Sequence, residues 1–145
     1  MPSTPSYVRG VRILLADDHR LFAESLMALL SEDDRVEVVG IAENGVQAVE
    51  LAMDLEPDVI LMDIKMPMMD GLEATRRIRK SGLQTQILIL TGTDEPVSSE
   101  EATEAGASGY LRKEQSIDDL RRVFLEAASL AAVLGTPVAN GGALR

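Results

Sequence analysis

An α/β domain built on a doubly wound, five-stranded parallel sheet is the fold that this sequence predicts, and three observations predict it. Short apolar runs alternate with amphipathic segments from Val11 onward. The central run, Val59-Ile60-Leu61-Met62, is apolar throughout, as a strand covered on both faces should be. The runs also end in reactive polar residues: Asp17-Asp18, Asp63, Thr91 and Lys113. An open α/β sheet presents its chemistry at such strand ends.

The elements follow in order. The first strand spans about 11–16. A helix near 20–31 places Leu21, Phe22, Ser25, Leu26, Leu29 and Leu30 on one side at helical spacing, and Asp33-Asp34 breaks that pattern. Val36 to Ile41 reads as the second strand. Asn44 caps the next helix, whose stripe is Val46, Val49, Leu51 (or Ala52) and Leu55, with Pro57 as the stop. Val59–Met62 is the third strand. A third helix runs from about Leu72 to Lys80, with Gly82 just past its end. Ile87–Leu90 is the fourth strand. A weaker helix spans about 97–105 and ends at Gly106, and the fifth strand is about 108–111. Ser116 is the expected N-cap of the last helix, with Asp119 in the cap-box position. Ile117, Leu120, Val123, Phe124, Ala127 and Leu130 form its apolar face. Right-handed crossovers connect such units.

Composition narrows the function classes. The 145 residues suit one domain, and 46% hydrophobic content excludes a disordered chain. All 24 acidic residues but only 12 of the 14 basic ones lie between Val11 and Leu134, so that span carries −12. Such a body repels nucleic acid. The basic cluster Arg76-Arg77-Ile78-Arg79-Lys80 reads as a solvated helix face near a C-terminus. Without cysteine there is no disulfide scaffold, thiolate metal site or thiol nucleophile. No apolar run approaches the roughly 20 residues of a membrane span, and Met1 to Ser6 lacks the pattern of a signal peptide. A cytoplasmic protein without membrane contact is the default expectation. Residues 1–10 read as a flexible leader, and 135–145 as a disordered tail or a truncated interdomain linker.

Four motifs carry the chemistry: Leu-Leu-Ala-Asp17-Asp18-His19, Asp63-Ile-Lys-Met-Pro67-Met-Met-Asp-Gly71, Leu-Thr91-Gly92, and Gly106-Ala-Ser-Gly109-Tyr110-Leu-Arg-Lys113. In this order and spacing they resemble the receiver domain of bacterial two-component response regulators. The start and the Gly-Ala-Ser-Gly-Tyr-Leu segment look most like the NarL/FixJ (LuxR-type) branch. The resemblance covers about residues 11–130, within a domain of 11–134. It implies a flavodoxin-like (βα)5 fold with strand order 2-1-3-4-5.

The resemblance also implies a reaction. A sensor histidine kinase carries phosphohistidine, and Asp63 accepts the phosphoryl group as an acyl phosphate. Charge must be neutralised for that transfer between anions. Asp17, Asp18 and Asp63 form an oxygen cluster suited to Mg²⁺ (or Mn²⁺). By analogy Asp18, Asp63 and the backbone carbonyl of Lys65 coordinate directly, and Asp17 acts mainly through water. Lys113 pairs with the phosphate as a point charge, and Thr91 donates its hydroxyl. Thr91 and Tyr110 are the implied switch. They couple the site to a face made of helix 97–105, strand 108–111 and helix 117–130, which also offers a homodimer surface. Such a domain phosphorylates and dephosphorylates itself and is not a classical enzyme.

Departures from the family pattern matter too. Lys65 stands two residues past the acceptor, where it should alter acyl-phosphate lifetime. Glu114 follows Lys113 where many receivers have proline, so a cis bond is not expected there. His19 reads as a helix-start or surface residue with no catalytic role. A NarL/FixJ regulator continues into a helix-turn-helix domain, and the eleven residues after Leu134 are too few for one. An excised receiver of a longer transcription regulator is therefore expected rather than a stand-alone one. DNA would be bound only through that further domain.

Three rivals compete. A haloacid-dehalogenase-type phosphatase needs a second Asp where Lys65 stands. A flavin-binding protein of the same sheet order wants a Ser/Thr/Gly-rich phosphate loop where Asp17-Asp18 stands. A degenerate receiver, acting as a phosphorylation-independent interaction module, would not need all five positions filled.

Overall fold

The structure, a computed structural model, describes residues 10–92, 97–113 and 122. The chain runs β1 (Val11–Ala16), α1 (Arg20–Leu30), β2 (Val36–Ala42), α2 (Gly45–Leu55), β3 (Val59–Asp63), α3 (Gly71–Lys80), β4 (Gln86–Thr91), α4 (Ser99–Ala105) and β5 (Gly109–Arg112). The sheet is five-stranded in the order β2-β1-β3-β4-β5, and every pairing is parallel. The expected sheet order is therefore present. The leader, the tail, the Glu114 peptide bond and the helix at 117–130 lie outside the described residues.

The two-residue period of the strands sorts the core into two layers. Leu14, Ala16, Ile60, Met62, Ile87 and Ile89 face one side, where Ala48 and Ala52 of α2, Ala74 and Ile78 of α3 and Ala102 of α4 cover them. Ile13, Leu15, Val59, Leu61, Leu88, Leu90 and Leu111 face the other, against Leu26 and Leu30 of α1. All five residues of β3 are buried, which is why that strand carries no alternation. Each fully buried Leu or Ile contributes about 1.5–3 kcal/mol. This two-sided packing fixes the strand ends against each other.

Caps set the helix starts. Asn44 accepts a hydrogen bond from the Gln47 backbone N–H at 2.8 Å, as expected for α2. Asp70 does the same for α3, receiving the Glu73 N–H, so that helix starts at Gly71 rather than Leu72. Ser98 and Glu101 form a reciprocal capping box that starts α4 at Ser99, two residues later than the pattern alone places it. The fifth strand is likewise displaced by one residue, to Gly109–Arg112.

Two surface assignments change. Leu21 is 78% exposed, and Ala23 takes the inward position with Leu26 and Leu30. Helical spacing does not say where the stripe is centred, and here Phe22 and Met27 flank it, partly buried against the same core. The basic run on α3 is only partly a solvated face. Arg76 and Arg77 are exposed and pair with Glu73. Arg79 instead folds inward, with Nε donating to the Gly106 carbonyl at 2.7 Å and an Nη to that of Leu83 at 3.2 Å. It tethers the end of α3 to the turn before β5.

Candidate functional site

The register brings the strand ends to one edge. Ala16 pairs with Met62, Asp63 with Leu90, and Thr91 with Arg112. Backbone hydrogen bonds continue just past the strands. Asp17 N–H donates to Ala42, Ile64 N–H to Leu90 and Lys113 N–H to Thr91. Residues on three different strands are thus held in place by the ladder before any side chain contributes.

Four of the expected residues meet there. Asp17 and Asp63 are buried, 3% and 4% exposed, while Asp18 is exposed. Lys113 Nζ lies 3.0 Å from Asp17 Oδ2 and 3.2 Å from Asp63 Oδ2. The ammonium also sits 5.0 Å from the centre of the Phe22 ring, a cation–π contact that backs it from α1. Thr91 is buried at the end of β4. Tyr110 is 38% exposed on the edge strand, opposite Ile89, so it is not ordinary core. Lys65 is exposed in the loop that follows Asp63.

One residue enters that the sequence reading left aside. His19 does begin α1, at the N-cap position. Its ring also joins the acids: Nδ1 is 3.1 Å from Asp17 Oδ1, 3.6 Å from Asp18 Oδ1 and 3.7 Å from Asp63 Oδ2. The His19 backbone N–H donates to the same Asp17 Oδ1 at 2.8 Å. The Asp-Asp-His run signals proximity along the chain. Only the turn into α1 aims the ring back over the cluster.

The loop after Asp63 is shaped by glycine. A Cβ on Gly71 would overlap the backbone carbonyl oxygen of Asp63, and one on Gly45 would overlap that of Met69. The Gly71 N–H donates to the Ile64 carbonyl at 2.7 Å, closing the loop under the carboxylate. Met68 adopts a left-handed φ of 73°, a conformation that costs a side chain-bearing residue about 1–2 kcal/mol.

The electrostatics are unbalanced. Burial pushes the Asp63 carboxyl up, the neighbouring Asp17 carboxylate adds to this, and Lys113 pulls the other way; the outcome is about 7. Asp17 Oδ2 and Asp63 Oδ2 are both buried without a hydrogen-bond partner. Among the described residues Lys113 Nζ is the one cation between them, at ion-pair distance to each. Two buried carboxylates share that single ammonium, which leaves excess negative charge that is costly to bury. Ligand atoms of Asp17, Asp18, His19 and Asp63 all lie within 4.8 Å of one another. The arrangement has the donors and the uncompensated charge that a divalent cation would satisfy.

Comparison with known proteins agrees. The family model for the response regulator receiver domain matches residues 13–124. The chain belongs to that family. The receiver is 45% identical over 109 residues to the transcriptional regulatory protein YdfI of Bacillus subtilis, covering 75% of this chain and 51% of that protein. It is 38% identical over 129 residues to the nitrate/nitrite response regulator protein NarL of Escherichia coli, covering 87% and 60%. Among solved structures, the signal receiver domain of NarL from Mycobacterium tuberculosis superposes with a TM-score of 0.77 at 36% identity, covering 83% of this chain and 98% of that one. The NarL/LuxR-type resemblance and the flavodoxin-like fold are both supported. The chain spans about half to three-fifths of the length of the curated relatives it matches. Among the described residues no helix is long and apolar enough to cross a membrane.

Proposed function

We propose that Asp63 is the phosphoacceptor of this receiver and that a sensor histidine kinase supplies the phosphoryl group. An Asp63 carboxylate oxygen attacks phosphorus, the P–N bond of the phosphohistidine breaks, and its imidazole leaves with the electron pair. The carrying observation is a buried strand-end carboxylate with an ammonium 3.2 Å away and acids around it. Lys113 neutralises the phosphoryl oxygens, and Thr91, at the adjoining strand end, donates its hydroxyl to one of them. Asp18, Asp63 and the Lys65 carbonyl would hold Mg²⁺ (or Mn²⁺), with Asp17 acting through water. That ion supplies positive charge to the carboxylate and the incoming phosphoryl group. The test is incubation with acetyl phosphate and Mg²⁺ followed by intact mass. One phosphoryl adduct is expected, absent in Asp63→Asn. An adduct that survives in the variant, or turnover of a phosphate ester, would overturn the assignment. No adduct in either protein would favour the phosphorylation-independent interaction module.

Phosphorylation adds about −1.5 to −2 charge beside Thr91. Thr91 moves toward the phosphate, and Tyr110 turns from its exposed position into the space behind it. The phosphate thereby favours one of two packings of the α4–β5 face, which passes the signal on. Relatives named as transcriptional regulators support a cytoplasmic role in transcription control through a separate DNA-binding domain. Homodimerisation through the α4–β5 face is part of the same reading. Beryllium fluoride with Mg²⁺, an acyl-phosphate mimic, is expected to shift NMR signals of Thr91, Tyr110 and α4. Shifts confined to the Asp63 loop would count against the switch.

Lys65 is exposed beside the acceptor, where its ammonium can contact the phosphoryl group and obstruct the attacking water. Lys65→Ala is expected to shorten the acyl-phosphate lifetime several-fold in an autodephosphorylation time course. An unchanged lifetime would remove Lys65 from the mechanism.

A further inference from the structure

His19 Nδ1 occupies a conflicted position. It lies 3.1 Å from Lys113 Nζ and 3.1 Å from Asp17 Oδ1. If Nδ1 accepts from the ammonium, its lone pair also confronts the carboxylate. If it carries the proton and donates to Asp17, that proton confronts the ammonium. No single neutral tautomer satisfies both neighbours. Asp17 Oδ2 and Asp63 Oδ2, both buried, converge on a cation position that Lys113 Nζ now fills, 3.0 and 3.2 Å away. The ring thus adds a nitrogen donor to a cluster that is otherwise all oxygen.

We propose that His19 Nδ1 is a ligand in this cluster, and that it gives the site a preference for nitrogen-seeking first-row divalent ions, Zn²⁺ above all, over Mg²⁺. Donor atoms about 2.1 Å from a common ion lie at most roughly 4.2 Å apart. The four side chains already hold theirs within 4.8 Å, so small rotations close the site. A lone pair directed at a cation resolves the tautomer conflict, and Lys113 is displaced from Nδ1. Imidazole suits Zn²⁺, Ni²⁺ and Cu²⁺, whereas Mg²⁺ prefers oxygen and water. The consequence is metal discrimination in a signalling site. Zn²⁺ held by His19 with Asp17 and Asp63 would compete with Mg²⁺ and occupy the carboxylate needed for phosphoryl acceptance. This inference rests on the reading of the cluster as a cation site.

The single histidine makes the test unambiguous in tag-free protein. Zn²⁺ and Mg²⁺ are titrated separately while the imidazole ¹⁵N resonances are followed by NMR, and both affinities are measured for wild type and His19→Asn. Zn²⁺ is expected to move the Nδ1 resonance and Mg²⁺ to leave it nearly in place. The variant should lose at least 10-fold in Zn²⁺ affinity while its Mg²⁺ affinity changes less than about 3-fold. Zn²⁺ binding without an Nδ1 shift, or equal losses for both ions, would overturn the role of His19 and leave the cation site standing. Failure of wild type to bind either ion would overturn the cation-site reading itself. A circular dichroism melt of His19→Asn separates loss of a ligand from loss of fold.

Discussion

Asp63→Asn is expected to stabilise the metal-free protein by about 2 kcal/mol at pH 8. The Asp63 carboxyl is pushed up to about 7 from an ordinary value of 3.8. In the unfolded chain it ionises near pH 4. In the native state, burial and the Asp17 carboxylate hold off ionisation until about pH 7. Between those values the native state binds the extra proton, so stability falls as pH rises through the window. Above about pH 7 both states are ionised and the folded state carries the whole penalty. A displacement from 3.8 to about 7 corresponds to about 4 kcal/mol, and roughly half of that is kept because water and side-chain movement relax a buried charge. Asparagine carries no charge and escapes the penalty at every pH. Urea melts in EDTA should therefore show a variant advantage at pH 8 that shrinks toward pH 4. Excess Mg²⁺ should stabilise wild type more than the variant, because a cation bound only to the native state adds stability. A variant less stable than wild type at pH 8, or a gap unaffected by pH, would contradict the unbalanced-charge account.

Gly71→Ala is expected to cost about 2–4 kcal/mol and to lower the proposed phosphoryl acceptance together with stability. The new methyl would overlap the Asp63 carbonyl oxygen and approach its carbon at 2.9 Å and Met62 Cγ at 3.0 Å. Two of these neighbours are backbone, so no rotamer change relieves the overlap. Relief requires α3 to move off the end of β3, which breaks the 2.7 Å hydrogen bond from Gly71 to Ile64 and shifts the Asp63 carboxylate. Overpacking alone costs about 1–3 kcal/mol, and the lost hydrogen bond adds about 1. Gly82→Ala serves as the contrast. Nothing lies within 4 Å of a Cβ there, and only the φ of 94° opposes the change. It should cost about 1 kcal/mol and leave phosphorylation intact. A Gly71 variant as stable as the Gly82 variant in chemical denaturation would refute the steric argument.

Several features of the fold were legible because they are local. The alternation of strand and helix, the unbroken apolar run of β3 and the Asn44 cap follow from periods and donors within a few residues. The acidic strand ends were legible as well, though only in company: an acid at a strand end is by itself a common turn or cap residue, and Asp17-Asp18 and Asp63 gain their meaning beside Thr91 and Lys113 in that order. Arg79 was not legible. Its neighbours Arg76 and Arg77 satisfy the expectation of a solvated face, while Arg79 reaches the Gly106 carbonyl across 27 positions of sequence. The same holds for Leu21, whose place in an apolar stripe did not bring it against the sheet.

The sequence by itself determined the family, the strand order that the family implies, and the residue types gathered at the strand ends. Those depend on short-range patterns and on motifs in a given order. Only the tertiary structure decided which groups touch. It placed Lys113 against both Asp17 and Asp63, set it near Phe22, and turned His19 into the cluster. These contacts join positions as far apart as Asp17 and Lys113, and the register of β1, β3, β4 and β5 sets their distances. Coulomb energy and metal affinity depend on those distances, which no linear spacing encodes.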